Sequence, residues 1–470
     1  MFDTPIEIPL WLAIVLVTGC LYALMMSILL PGIRWFFRRR LNRAIEKINE
    51  RLSIRIRPFQ RTKRQVLIDR LIYDAKIIEE IEAQAAATDM SREQLQARVY
   101  NYAREIVPAF NALIYFRFGY WLARKISRMI YRVKVGAADY EQLVSVDPEA
   151  TVVFVMNHRS NIDYLLVTYL AANQVSLSYA VGEWARVFPL QTLIRTLGGF
   201  FVRRNSDDPL YRKVLERYVH MSSREGVSQA VYLEGQLTRD GNIAPPKLGF
   251  LDYMLRDWDI TLDRDIVFIP IGINYDHVLE DTNLINLLNS QKTKWQHIVD
   301  VFKFIRINLF ASDEDKIRRY GYASVNFGIP MSAKAFCTSR NIDFRHLNKA
   351  ERFVHVETLA EELLDAIKHV IPVLPVPLIT SVFEENPETP LHSTEVIEKV
   401  NTLVDNLVQS GSAMREDEKP KHNTIAQGLA LLSDRQILIR ENDRFRLNSK
   451  AQALLQFYAN SIRHLRSKAP

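Results

Sequence analysis

The sequence predicts an α/β layer architecture for most of the chain. From about residue 150, short apolar runs alternate with longer helical stretches, a pattern typical of a sheet covered by helices. The clearest strand is Thr151–Met156, which is rich in β-branched residues. The 470 residues are 48% hydrophobic, so the chain can bury a core and does not have the composition of a disordered protein.

The first 33 residues predict a membrane anchor. Ile8–Leu30 contains no charged residue in 23 positions. As a helix it would be about 34 Å long, enough for a hydrocarbon core of about 30 Å. Its length and the negative charge before it disfavour a cleaved signal peptide. The basic residues after it predict a single-pass protein of the cell inner (plasma) membrane, with everything after residue 34 on the cytoplasmic face.

Residues 34–64 form a basic juxtamembrane segment. They contain twelve basic and two acidic residues, and the remainder of the chain is nearly neutral although the net charge is +7. The segment is suited to anionic head groups of membrane lipids, or it is a solvated basic helix that only sets topology. A nucleic-acid partner is not expected, because the charge is not spread over a folded domain.

The region before the sheet reads as helical. Residues 40–105 lack glycine and are dominated by helix formers. Ala109–Val133 interleaves aromatic residues with arginines, which fits either a helix lying in a membrane interface or a buried amphipathic helix. We therefore expect the anchor over 1–33, a basic and helical region over 34–135 and an α/β domain over 136–369.

Further elements follow from the same alternation. Beside a helix over Pro209–Ser222, the apolar runs predict strands at Leu177–Ala180, Gly199–Val202, Ala230–Leu233, Ile266–Ile273 and Tyr322–Phe327. Pro270 inside its run favours an edge or irregular strand.

Residues 370–470 change character and predict a helical, winged-helix-like region. The proline-rich Val370–Ile379 is typical of a non-helical connector. Helices near 393–409 and 424–432, a hairpin over Ile437–Leu447 and a final helix from Ser449 are expected after it. Because the charge of this region is nearly balanced, we expect it to pack against protein rather than bind DNA.

The strongest chemical motif directly follows the strand Thr151–Met156. His158 precedes Asp163 by five positions, at the strand end where α/β sheets usually bind ligands. A carboxylate on one ring nitrogen would fix the tautomer and leave the other nitrogen to take a proton from a hydroxyl. The alternative is a surface histidine near an aspartate at a helix N-terminus.

Three further motifs leave predicted strand ends. Gly198–Arg204 delivers Arg203 and Arg204, and arginine is suited to bidentate phosphate binding. Tyr232–Gly241 supplies Glu234, Gly235 and Arg239, with Lys247 shortly after. The fourth motif is the apolar run around Pro270. Read separately, solvated charges at a strand end, a surface turn and core packing would be enough to explain these three segments.

The ordered set of motifs resembles the glycerolipid acyltransferases, and among them the glycerol-3-phosphate acyltransferase family. The first block stands as His158-Arg159-Ser160-Asn161-Ile162-Asp163-Tyr164-Leu165. The second matches Gly198–Arg204, the third matches Glu234-Gly235 and then departs, and the fourth matches Ile269-Pro270-Ile271. Phe457–His464 resembles a segment typical of the glycerol-3-phosphate branch.

The resemblance implies a fold and a site. The fold would be a mixed sheet flanked by helices. His158 would be the general base on the acceptor hydroxyl and Asp163 its orienting partner. The acceptor oxygen would attack the thioester of acyl-CoA or an acyl-carrier protein. The substrate-binding residues would be Arg203, Arg204, Arg239 and Lys247 at the acceptor phosphate, Glu234 and Gly235 at the acceptor pocket, and Pro270 on the donor side.

The expected function is acylation of the sn-1 hydroxyl of glycerol 3-phosphate, giving lysophosphatidic acid. Leu237 stands where the family usually has an arginine, which leaves lysophosphatidic acid, dihydroxyacetone phosphate or another lysolipid as alternative acceptors. A catalytically inactive, membrane-tethered scaffold is the alternative from another class. Cys20 and Cys337 cannot make a disulfide framework or a zinc site, so we expect no metal and no cofactor beyond the acyl co-substrate.

Overall fold

The computed structural model describes most of the chain. The described residues are 9–26, 39–40, 43, 45–46, 48–50, 52, 54–135, 146–171, 175–182, 185–186, 188–203, 206–285, 312–410 and 420–466. The chain divides into two compact units, Met1–Leu52 and Ser53–Pro470. The basic segment 34–64 lies largely outside the described residues before position 54.

The first unit contains helix α1, Leu10–Leu24, which has 15 residues. A helix of that length extends about 22 Å, short of a hydrocarbon core of about 30 Å. Throughout the described part of the chain, no helix is both long and apolar enough to cross a membrane. The predicted transmembrane helix over Ile8–Leu30 is therefore not found, and residues 27–38 of this region lie outside the described residues.

The second unit begins with a helical layer, as the composition predicts. Its helices are α2 (Pro58–Arg61), α3 (Arg64–Ile72), α4 (Ala75–Ala87), α5 (Arg92–Ile106) and, after a π-helical turn at Ile114–Gly119, α6 (Tyr120–Ile130). Helix α5 starts with a capping box in which Ser91 and Gln94 satisfy each other's backbone N–H groups. Ile106 ends it.

A mixed sheet of eight strands forms the centre of this unit. The strands are β1 (Arg132–Val135), β2 (Thr151–Met156), β3 (Ser178–Gly182), β4 (Phe200–Val202), β5 (Gln229–Tyr232), β6 (Ile266–Tyr275), β7 (Tyr322–Phe327) and β8 (Met331–Ser332). Their order is β1-β7-β6-β2-β5-β3-β4, with β8 paired to β6. The predicted α/β fold, with a mixed sheet flanked by helices, is confirmed.

The direction of the strands positions the site. β2, β5, β3 and β4 are neighbours and run parallel, so their carboxyl ends lie along one edge. His158 follows β2, Arg203 follows β4 and Glu234 follows β5. Three of the predicted motifs therefore reach the same edge of the sheet.

Pro270 was expected in an edge or irregular strand, and the edge alternative is wrong because β6 is an interior strand. β6 pairs with β2 along Ile266–Ile271 on one side. On the other side it pairs first with β8 at Val267 and Phe268 and then with β7 from Ile271 onward. Pro270 falls where the strand changes partner, which is a place where a residue without an N–H is tolerated.

The helices between strands complete both faces of the sheet. They are α7 (Asp163–Ala171), α8 (Leu190–Thr196), α9 (Pro209–Arg224), α10 (Gly249–Leu255), α11 (Asp281–Ile285), α12 (Asp313–Tyr320), α13 (Ala333–Arg340) and α14 (Lys349–His369). Short 3₁₀ turns lie at Phe344–His346 and Ser449–Ala451. Alternate residues of β2 enter two cores: Phe154 faces the C-terminal helices, while Val155 faces the layer containing α5 and α9.

The C-terminal region has the expected order of elements with one correction. Its elements are α15 (Pro375–Glu385), β9 (Leu391–His392), α16 (Ser393–Gln409), α17 (His422–Asp434), the hairpin β10 (Leu438–Glu441) and β11 (Arg444–Leu447), α18 (Gln452–Asn460) and α19 (Arg463–Arg466). The proline-rich segment was predicted to be non-helical, but Pro375 and Pro377 occupy the first turn of α15, where no backbone N–H is required. The hairpin turns on Asn442 and Asp443, both with positive φ.

Candidate active site

His158 and Asp163 come together as their spacing predicts. Nδ1 of His158 lies 2.9 Å from Oδ2 of Asp163, at the start of α7. The same oxygen accepts the backbone N–H groups of Arg159 at 2.7 Å and Ser160 at 3.0 Å. The other carboxylate oxygen of Asp163, Oδ1, accepts a hydrogen bond from the hydroxyl of Tyr275 at 2.6 Å. Four donors thus hold the carboxylate, and Nδ1 of His158 carries the proton that it donates.

The ring of His158 borders a cavity of about 420 Å³ at the carboxyl edge of the sheet. Tyr232 stacks on it with ring centroids 3.8 Å apart and planes 17° apart, and Tyr164 meets it edge-on at 5.8 Å. The ring cannot tilt without breaking these contacts. Since Nδ1 is bound to Asp163, Nε2 is the nitrogen left to accept a proton from a bound hydroxyl.

Glu234 is buried and fixes the backbone around the histidine. Oε1 accepts the N–H of His158 at 3.0 Å, and Oε2 accepts the N–H of Ala244 at 2.9 Å. Burial raises the pKa of Glu234, and these two N–H groups with the nearby Arg159 counteract part of the rise. The carboxylate therefore shapes the site through the backbone.

Gly235 and Lys247 lie together on the cavity wall. Gly235 has φ +70°, and a Cβ there would lie 3.0 Å from Cγ of Lys247. The absence of a side chain lets the stem of Lys247 cross directly over the turn. Lys247 is exposed and has no ion-pair partner among the residues that the structure describes.

Arg203 also lines the cavity, but part of its guanidinium is already occupied. Nε and Nη2 bind the carboxylate of Glu105 at 2.8 and 2.6 Å. The guanidinium carbon lies 5.0 Å from the ring centroid of Tyr102 and 4.9 Å from that of Tyr211. Arg204 lies outside the described residues.

The remaining predicted residues are not brought to this cavity. Arg239 lines a separate surface depression with Asp240 and Asn460. Pro270 is buried in β6, opposite Val155 of β2. Leu237, which stands in place of the usual arginine, packs against the hydrophobic core.

Sequence reasoning missed several residues that hold the motif. Glu280 accepts the hydroxyl of Ser160 at 2.7 Å and the side-chain amide of Asn161 at 3.1 Å, and burial raises its pKa. Asn157 exchanges two hydrogen bonds with the backbone of Ile273, at 2.9 and 2.8 Å. Glu280 and Tyr275 lie more than 100 positions from the motif, so no local spacing could have identified them.

The C-terminal segment packs directly behind the motif. Arg159 donates to the carbonyl oxygens of Gly241 and Ser461. Gly241 has φ +85°, and a Cβ there would lie 1.8 Å from the carbonyl oxygen of Phe457. Asn460 donates to the carbonyl oxygen of Asp240 at 2.7 Å. The segment that carried part of the sequence resemblance therefore supports the loops of the site.

Comparison with known proteins agrees with this architecture. Residues 137–274 match the family described as acyltransferase, and residues 310–467 match the family described as glycerol-3-phosphate acyltransferase C-terminal region. The chain belongs to the glycerol-3-phosphate acyltransferase family. The two matched ranges contain every strand of the sheet except β1 and the last residue of β6, together with the C-terminal helices.

Relatives named glycerol-3-phosphate acyltransferase have similar sequences. One from Aeromonas hydrophila is 28% identical over 85% of this chain and 50% of its own length. One from Pseudoalteromonas atlantica is 28% identical over 62% and 35%, and one from Pseudomonas syringae pv. tomato is 27% identical over 86% and 48%. The chain thus spans about half, or less, of the length of these curated relatives.

A solved structure is also similar to this member of the family. It is the 1-acyl-sn-glycerophosphate acyltransferase from Thermotoga maritima, 15% identical, covering 64% of this chain and 95% of its own, with a TM-score of 0.29.

Proposed function

We propose that the protein transfers a fatty acyl group from a thioester to a hydroxyl of a small phosphorylated acceptor. The observation that carries the proposal is the His158–Asp163 pair, whose free Nε2 borders a cavity also lined by cationic side chains. A general base beside an anion-binding wall is what acylation of a phosphorylated alcohol requires.

The proposed step uses His158 twice. Nε2 takes the proton of the acceptor hydroxyl as its oxygen attacks the thioester carbon. Asp163 stabilises the imidazolium that forms, because its carboxylate already holds Nδ1. Collapse of the tetrahedral intermediate breaks the carbon–sulfur bond, and the imidazolium returns its proton to the leaving thiolate. The balance needs no metal and no redox group.

Glycerol 3-phosphate is the proposed acceptor and lysophosphatidic acid the product. The name of the relatives supports this choice, and so does the charge of the cavity wall. Arg203 and Lys247 face the cavity, and Arg212 lines it as well. These side chains can hold a phosphate while the acceptor hydroxyl reaches His158. Glu234 and Gly235 shape the same pocket.

The proposed donor is acyl-CoA or an acyl-carrier protein. The cavity has an apolar wall on which the acyl chain can lie beside the reacting thioester. That wall is made of Val202, Leu215, Val231, Phe250 and Tyr253.

We propose that the protein works at the cytoplasmic face of the cell inner membrane, where its product enters the bilayer. The exposed stripe of the π-helical turn and α6 supports attachment to anionic lipid. Ile114, Phe118 and Trp121 are 37%, 45% and 55% exposed on this stripe. The exposed Arg124 and Lys125 continue it, and positions 109–132 contain no acidic residue. Apolar and basic side chains on one helix face suit an interface of anionic head groups.

An acyl-transfer assay with several acceptors tests the proposal. The full chain would be assayed with glycerol 3-phosphate, dihydroxyacetone phosphate or lysophosphatidic acid as acceptor. Each acceptor would be tested with an acyl-CoA and with an acyl-carrier protein as donor. Lysophosphatidic acid formed from glycerol 3-phosphate is the expected result. Product from another acceptor alone would overturn the acceptor assignment, and absence of thiol release with every pair would overturn the acyltransferase assignment and favour a scaffold.

A further inference from the structure

Glu105 lies in α5, before the residues that match the family models, yet it binds Arg203 in the wall of the cavity. Glu105 is 8% exposed, and its carboxylate binds two arginines. Arg203 contacts it through Nε and Nη2, and Nη1 of Arg186 contacts it at 2.9 Å. Although burial opposes it, hydrogen bonds from Arg203 and Arg186 lower the pKa of Glu105.

We propose that Glu105 is a positioning residue that holds Arg186 and Arg203 together as the site for the acceptor's phosphate. Under this proposal Arg186 binds the phosphate. It takes the place of the arginine that the family usually has at the position of Leu237 in the third motif. The inference rests on the proposed function, because it assumes a phosphorylated acceptor in the same cavity.

Charge and geometry support the proposal. Two guanidinium groups and one carboxylate leave a net charge of +1, which still attracts a phosphate. Nε and Nη2 of Arg203 are used by Glu105, and among the described residues Nη1 has no partner. Arg203 lines the cavity, and Arg186, which is not itself part of the lining, is bound to the same carboxylate. Their side chains remain 33% and 29% exposed, so both are accessible to a ligand.

Packing around Arg203 supports a fixed orientation. Its guanidinium lies between the rings of Tyr102 and Tyr211, and its backbone N–H donates to the hydroxyl of Tyr211 at 2.9 Å. Arg195 donates to the carbonyl oxygen of Glu105 at 3.0 Å and fixes the end of α5. A planar guanidinium that cannot rotate loses less freedom when it binds a phosphate.

The experiment compares Glu105→Gln and Arg186→Gln with a matched control, Glu216→Gln. Glu216 is also buried and also binds two cations, Lys213 and Arg256, but neither of those cations lines the cavity, whereas Arg203 of the Glu105 cluster does. Calorimetric binding of glycerol 3-phosphate, inorganic phosphate and uncharged glycerol would be measured on the full chain without donor. Steady-state kinetics would follow with glycerol 3-phosphate and one acyl donor varied in turn.

We expect Glu105→Gln and Arg186→Gln to raise the Kd of both phosphates, and the KM for glycerol 3-phosphate, about tenfold or more. The KM for the donor and kcat should change by less than about threefold, and Glu216→Gln should change none of these values. Arg186→Lys, which keeps the charge, should recover part of the affinity. Arg186 is partly exposed, so its variants test the proposal even if Glu105→Gln does not fold.

Unchanged or tighter phosphate binding in Glu105→Gln and Arg186→Gln would overturn the proposal. Failure of the wild-type protein to bind either glycerol 3-phosphate or inorganic phosphate would also overturn the proposal. If the wild type binds glycerol 3-phosphate through these arginines but does not acylate it, the proposed function fails while this assignment stands.

Discussion

Arg159 donates a hydrogen bond from Nη2 to the carbonyl oxygen of Ser461, at 3.3 Å and across 302 positions of the chain. Arg159 is the neighbour of His158 in the motif, and only 2% of it is exposed. Burial lowers its pKa, while Glu234 and Asp163 act in the opposite direction. Its guanidinium thus ties the loop of the proposed base to the C-terminal segment.

Replacing Arg159 with methionine should reduce both stability and turnover. The change leaves the buried carbonyl oxygens of Gly241 and Ser461 without their donor, which should cost roughly 2–4 kcal/mol of unfolding free energy. We expect kcat to fall while the KM for glycerol 3-phosphate changes little. Chemical denaturation and steady-state kinetics would measure both. Arg352→Met, which removes the partly buried partner of the buried Asp252 outside the cavity lining, should lower stability without the fall in kcat.

Replacing Tyr275 with phenylalanine should lower kcat roughly tenfold. It removes the hydroxyl that donates to Asp163 at 2.6 Å, and a hydrogen bond to a charged group contributes about 1.5–3 kcal/mol. Tyr131→Phe is the matched control, since Tyr131 packs on Tyr275 with ring centroids 5.2 Å apart but donates to the carbonyl oxygen of His277. Equal kcat values for the two variants would argue against a role of Tyr275 in orienting Asp163.

Asp276 should give the protein a pH-dependent stability. Burial raises its pKa from 3.8 to about 6, although the N–H groups of Val376 and Tyr322 counteract part of the rise. The folded state therefore binds more protons than the unfolded state between about pH 4 and 6. The unfolding free energy should decrease as the pH rises through this window, by up to about 3 kcal/mol through this group, and level off above it.

Denaturation of the wild type and Asp276→Asn at several pH values would test this. The variant has no carboxyl to titrate at this position. Its stability relative to the wild type should therefore improve by about 3 kcal/mol between pH 4 and 6 and stay constant at higher pH. A difference that is constant over the whole range would show that Asp276 does not titrate there.

Serine at Phe118 and Trp121 should weaken attachment to anionic membranes. The double change removes two exposed rings with centroids 6.1 Å apart and leaves the neighbouring basic residues in place. Sedimentation with phosphatidylglycerol and phosphatidylcholine vesicles would compare it with Leu262→Ser, a loop residue that is 84% exposed. We expect only the double variant to lose binding, and the wild type to prefer the anionic vesicles. If both variants bind the vesicles equally well, this stripe is not the membrane-binding surface.

Local patterns in the sequence predicted the motif and most strands. A histidine and an aspartate five positions apart after a strand can meet across one turn, and the structure places Nδ1 and Oδ2 2.9 Å apart. Hydrophobic runs located the central strands because strands buried on both faces are apolar throughout. The helical C-terminal region was also recognised in its correct order.

Other features depend on contacts that no local pattern reveals. Glu105 has the composition of an ordinary helix residue, and only the fold brings it to Arg203, 98 positions away. Pro270 was expected in an edge or irregular strand because proline has no N–H to donate. Distant strands set the position where β6 changes partner, so the sequence could not show that an interior strand tolerates proline there. Leu237 was read as a missing charge, and the structure shows this partly buried side chain packing against the hydrophobic core.

Comparing the wild type with His158→Ala tests the central claim most directly. Acyl transfer from a thioester to glycerol 3-phosphate would be measured beside calorimetric binding of glycerol 3-phosphate to each protein. We predict that turnover falls at least about a hundredfold while binding changes by less than about threefold, because the histidine removes a proton and does not hold the phosphate. A variant that retains turnover near the wild-type rate would contradict the assignment of His158 as the general base.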